Sequence, residues 1–178
     1  MNIVFSTFSE NLALQIDNFD VIVHPFISNR KNLVQKEFFK FQFFLYGSKN
    51  YIAQYGMPKK TSDLKNHRII KYDSDGITPF HGVNDYMEDQ KFYNFFDRRI
   101  IVVNNPITEL NLVKNGIGLA MIASQWHNVL DIDLIKVLPN QFMFEEMVCL
   151  IYKHSEKDKI LIDSLYEILL NETDKIKR

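Results

Sequence analysis

The chain has 178 residues, 46% of them hydrophobic, and a formal net charge of −1 from 21 Lys and Arg against 22 Asp and Glu. That length buries about two-thirds of the surface the unfolded chain exposes, and the charge balance excludes the strongly basic face of a dedicated nucleic-acid binder. A lone cysteine, Cys149, excludes an intrachain disulfide framework and fits a reducing compartment.

The N-terminus carries no basic leader, sustained apolar core or small-residue cleavage site, so it does not read as a secretory signal, and a cytoplasmic protein is expected. Apolar runs such as Phe43 to Tyr46 and Leu119 to Ala123 fall far short of the roughly 18 residues of a membrane-spanning helix. No repeat or low-complexity segment interrupts the chain.

In chain order, Asn2 to Phe5 reads as a short strand, Ser6 to Glu10 as a capped helix start, and Phe19 to Val23 as a buried strand after the turn at Asp17-Asn18. Phe38 to Tyr46, dense in aromatic residues, suits a strand long enough to cross between lobes. Ser48 caps a helix to Tyr55, whose end is marked by Gly56 and Pro58. Thr61 to Leu64 starts a short helix, and Arg68 to Tyr72 is a strand ending in the turn residues Asp73 to Gly76. Ile77 to Phe96 reads as irregular structure over an apolar patch.

The span from Arg99 to Ile122 is the clearest unit. Ile100 to Val103 is a β-branched strand, Asn105 an N-cap, Pro106 the first helical residue, Gly116 the C-terminal break, and Gly118 to Ile122 a second buried strand. A helix joining two apolar strands predicts a parallel, right-handed βαβ crossover, so the fold class is α/β. Met147 to Tyr152 is a last strand. A helix follows from about Lys157 to Leu170, with Ile160, Leu161, Leu165, Ile168 and Leu169 as its apolar stripe.

Four segments in this order resemble the effector-binding (substrate-binding) domain of LysR-type transcriptional regulators: Asp20-Val-Ile-Val23; Phe44 to Pro58 with Ser62 to His67; Asn105 to Ala120; and Leu134 to Pro139. The resemblance covers nearly the whole chain. It implies a two-lobed fold like a type 2 periplasmic binding protein, with two crossover strands and a small-molecule cleft. Residues 1–43 and 147–178 would form the first lobe and 44–146 the second. Met1 falls after the family's winged helix-turn-helix, linker helix and first effector-domain strand and helix. The resemblance therefore implies an incomplete first lobe and no direct DNA binding by this chain.

By the same resemblance, Ser6 and Thr7 fall on a polar ligand-contacting position, where a hydroxyl can donate to an anionic or carboxylated effector. Val23 and Pro25 fall where the family lines its cleft. Asn105, Ile107 and Thr108 fall on the facing helix N-terminus, whose dipole suits a carboxylate. A plain helix-cap role competes with ligand contact at Thr7, Asn105 and Thr108.

No cofactor is implied. The five histidines show no ligand spacing with one another or with Cys149, so no metal site is expected. Cys149 lies in the apolar run Met147 to Tyr152 and reads as core, and no acid-base or nucleophile constellation points to an enzyme. Lys59-Lys60, Arg98-Arg99 and the Lys175 to Arg178 tail read as solvated charge.

The function expected is ligand sensing in transcription regulation, with a small-molecule effector as partner and homo- or hetero-oligomers with LysR-type relatives left open. The alternative is a truncated remnant or interaction-only protein that pairs with a full-length relative.

Overall fold

The computed structural model describes residues 19–72, 80–84, 100–126, 133–153 and 159–176. Its elements are β1 (Val21–Pro25), β2 (Leu33–Ser48), α1 (Lys49–Tyr55), β3 (Ile69–Tyr72), β4 (Ile100–Val103), α2 (Pro106–Lys114), β5 (Ala120–Ala123), β6 (Leu134–Lys136), β7 (Met143–Lys153) and α3 (Lys159–Ile176). Short 3-10 helices occupy Thr61–Asn66 and His81–Asn84.

β2 and β7 are the axis of the molecule. They pair antiparallel from Leu33↔Lys153 to Phe44↔Met143, β1 adds to the far edge of β7, and β5 and β6 add to β2. From Phe43 to Ser48 every residue of β2 is buried, because apolar layers cover both faces of the strand. Phe43 and Leu45 enter one cluster with Leu119, Met121 and Val137, while Phe44 and Tyr46 enter another with Leu110, Val113 and Ile122. At the other end of the pair, Ile22, Cys149 and Ile151 pack on one face and Leu150, Tyr152 and Ile162 on the other. The register shifts between Glu37 and Phe39, a one-residue bulge in β2 between these two groups of clusters.

The helix ends follow their signals. The Ser48 hydroxyl accepts from the Tyr51 amide at 3.3 Å, and Gly56, at φ 85°, closes α1. At the end of α2, Gly116 (φ 70°) donates to Val113 O and Ile117 donates to Leu112 O, both at 3.0 Å, which satisfies the last carbonyls in a Schellman arrangement. Tyr51 ties α1 to β3, since its hydroxyl accepts from the Arg68 amide at 2.8 Å.

Several expectations need correction. The crossover strand is longer than Phe38 to Tyr46 and its partner longer than Met147 to Tyr152, because the two stabilise each other through a long ladder, interrupted only by the bulge, that propensity alone does not register. The first strand runs two residues later than Phe19 to Val23 and buries only Ile22 and Pro25, being paired on one side with β7. The βαβ unit is more divided than expected. β4 pairs parallel with β3, and only Leu119 makes the parallel contact with Ile69, after which β5 runs antiparallel to β2.

The last helix runs from Lys159 to Ile176, and its packed face is Ile162, Leu165, Tyr166, Leu169 and Thr173, with Ile160, Leu161 and Ile168 exposed. Apolar residues surround more than half of this helix, so the stripe read from sequence is rotated away from the true one. Tyr166 and Asp163 fix the choice: the Tyr166 hydroxyl donates to Glu37 O at 2.7 Å, and Asp163 pairs with Lys36 at 2.5 Å. Asn2 to Phe5, Ser6 to Glu10 and most of Ile77 to Phe96 lie outside the described residues.

Cys149 is fully buried between β1 and β2, and its thiol is pushed up to about 11 by burial, with the Glu37 and Glu146 charges adding. The thiolate is the reactive form. Ellman's reagent is therefore expected to leave Cys149 unmodified in the native chain and to titrate it fully in urea; rapid native reaction would contradict this packing.

Candidate functional site

The start of α2 is built by its cap. Asn105 is extended (φ −137°, ψ 125°), and its side-chain oxygen accepts from the Ile107 amide at 2.9 Å and the Thr108 amide at 3.1 Å. Pro106 has no N–H, and the Glu109 amide donates to Asn105 O at 3.0 Å. Every amide of the first turn is thus engaged. A ligand arriving here meets the Thr108 hydroxyl, the Ile107 side chain and the positive end of the dipole, all exposed, rather than bare N–H groups. Asn105→Ala is expected to cost about 1 kcal/mol, lowering Tm by about 2–4 °C. An unchanged Tm would show that water replaces the cap without loss.

Glu109 turns the other way. It is 6% exposed in the packed side of α2 beside Leu110 and Val113, and burial pushes its carboxyl up to about 8. Among the described residues, no hydrogen bond or ion pair of its side chain offsets that burial.

Val23 and Pro25 lie on β1, opposite Leu150 and Val148 of β7. Val23 is half-exposed and Pro25 buried, and His24 Nδ1 lies 2.8 Å from Pro25 O. Val148 in turn faces Phe39 of β2, whereas α2 packs over Phe44 and Tyr46. Five strand residues, about 17 Å, separate these levels. The β1 and α2 positions therefore flank the crossover from its two ends. Ser6 and Thr7 lie outside the described residues.

Sequence reasoning missed a cavity of about 210 Å³ lined by Gly82, Val83, Met121, Gln141, Phe142, Met143 and Phe144. It lies on the face of β5 away from α2, since Met121 enters one cluster and its neighbours Ala120 and Ile122 enter the other. Gly82 is required there, because a Cβ would run into the Phe144 ring. Only the glycine hinted at this site; nothing in the local pattern pairs residues 82–83 with 141–144. Among the described residues no three His, Cys, Asp or Glu side chains converge as metal ligands, and no helix is long and apolar enough to cross a membrane.

The LysR substrate binding domain family model matches residues 2–174. The chain belongs to the LysR substrate-binding-domain family. Solved structures agree in fold. The CrgA regulatory domain, from a LysR-type transcriptional regulator of Neisseria meningitidis, is 17% identical with a TM-score of 0.69, over 92% of this chain and 80% of that one. The regulatory domain of AphB from Vibrio vulnificus is 18% identical with a TM-score of 0.68, over 94% and 84%. The effector-binding domain of QuiR in complex with shikimate is 12% identical with a TM-score of 0.64, over 92% and 77%. A comparison with curated proteins finds no match. The LysR substrate-binding-domain fold is mixed α/β and matches periplasmic-binding-protein-like regulatory domains, and its family regulates transcription rather than catalysing reactions.

Proposed function

We propose that this chain is the small-molecule effector-binding module of a LysR-type transcriptional regulator, acting in the cytoplasm and sensing a metabolite. The observation that carries this reading is the family match over residues 2–174. On this reading residues 1–43 and 147–178 are one lobe and 44–146 the other; among the described residues the core clusters part near the bulge between Glu37 and Phe39, a few residues before that boundary, with Phe43 packing among second-lobe side chains.

The effector is a small carboxylated molecule held by the Thr108 hydroxyl and the dipole of α2, with Asn105, Ile107, Val23, Pro25, Ser6 and Thr7 lining the cleft. Two facts support an acid: the positive end of α2 favours an anion, and shikimate, bound by the QuiR effector-binding domain, is a carboxylate. The test is titration of the ¹⁵N-labelled chain with a panel of small organic acids. One acid is expected to shift the Ile107, Thr108 and Val23 amides together. An acid that shifts only other resonances would keep the sensing role and remove these residues from it, and a panel without any shift would sink the sensing role.

One observation favours the alternative, an interaction-only protein pairing with a full-length relative. Ile160 of α3 is 85% exposed, with Leu161 and Ile168 also exposed on that helix. That reading predicts ligand-independent association in sedimentation velocity with a full-length LysR-type relative, and non-association contradicts it.

A further inference from the structure

We infer that the cavity between the 81–84 turn, β5 and the start of β7 is a second ligand site, which accepts one aromatic ring of a small molecule. Its volume, about 210 Å³, is far below the several hundred Å³ of a site for a larger ligand. It matches a single ring, since a cavity of about 150 Å³ already admits benzene. The walls have the chemistry a ring prefers. Phe142 and Phe144 offer edge and face contacts, and the Met121 thioether suits a ring edge.

The cavity is held open by its surroundings. Phe43 stacks at 5.7 Å from Phe144 and 5.0 Å from Phe80, which also meets Phe41 at 5.6 Å. Gly82 leaves the Phe144 ring no side chain to displace it. One polar side chain lines the site. Gln141 is exposed, its carboxamide oxygen accepts from the Thr61 hydroxyl at 2.5 Å, and its NH₂ remains to donate to a ring substituent at the mouth. The mouth lies beside this exposed side chain, so a ring can enter without unfolding the strand. The ligand class is therefore a monocyclic aromatic bearing one acceptor, such as a carboxylate or hydroxyl. This site lies across the sheet from α2 and does not depend on ligand binding there.

The test is NMR of the full chain with ¹³C-methyl-labelled methionine, titrated with benzoate, phenol and, as a ring-free control, acetate. Benzoate or phenol is expected to shift the Met121 methyl through ring currents while acetate leaves it in place. Val83→Phe, which fills the cavity, is expected to weaken that binding at least tenfold, and Gln141→Ala, which removes the donor at the mouth, to weaken it by a smaller factor. An unmoved Met121 methyl, equal shifts with acetate, or unchanged affinity in a folded Val83→Phe variant would each overturn the inference. An organic acid that shifts the α2 amides but not this methyl would overturn this site while leaving the sensing role intact.

Discussion

Glu109→Gln is expected to stabilise the chain strongly above neutral pH and hardly at all near pH 4.5. The carboxyl is buried in the packed face of α2, without a side-chain partner among the described residues, and is pushed up to about 8 by desolvation. The folded state therefore holds the proton more tightly than the unfolded chain does. The stability tied to that proton is complete below the ordinary carboxyl range near 4.5, declines as pH rises, and is lost once pH passes about 8. A full shift of this size corresponds to about 5 kcal/mol, and relaxation around the ionised group brings the expected gain for Gln at pH 9 to about 2–4 kcal/mol. Glutamine matches the neutral acid in shape, so the two proteins should agree within about 1 kcal/mol at pH 4.5. Urea unfolding at both pH values checks this, and parallel stabilities across the range would contradict it.

Leu119→Ala is expected to cost about 3–4 kcal/mol. Leu119 is fully buried, its amide donates to Arg68 O at 2.9 Å and its carbonyl accepts from Ile70 at 2.8 Å, so it joins the β3–β4 pair to the main sheet. Its Cδ2 occupies the space a Cβ at Gly47 would need. Gly47→Ala alone should therefore destabilise by overpacking. In the double variant the new methyl fills the void left by Leu119, and the combined cost should fall at least about 1 kcal/mol below the sum of the two. Additive costs in a denaturant double-mutant cycle would show that the two sites do not share this space.

The parts of the fold legible in the sequence are those whose cause is local. Ser48, Gly56, Asn105, Pro106 and Gly116 set helix ends through hydrogen bonds within a few residues, and both helices begin and end where those residues predict. What was not legible depends on distant partners. The ends of β2 and β7 are set by each other, the inward face of α3 by Lys36 and Glu37 on β2, and the antiparallel course of β5 by its pairing with Phe43 to Tyr46.

The candidate site divides in the same way. The cap at Asn105 is evident from its spacing, but that the cap engages the Ile107 and Thr108 amides, leaving the Thr108 hydroxyl exposed, emerges only in three dimensions. Glu109 lies within an apolar helical face that its neighbours Leu110 and Val113 define, so its burial could have been read from spacing alone. The cavity could not, because its walls come from segments that are distant in sequence.

The central claim is that the 178-residue chain is a folded ligand sensor, and thermal unfolding against a panel of small organic acids and amino acids tests it most directly. A single cooperative transition that at least one panel member raises, increasingly with its concentration, is the predicted result, because a ligand that binds only the folded state must stabilise it. A broad melt that no panel member moves would contradict it.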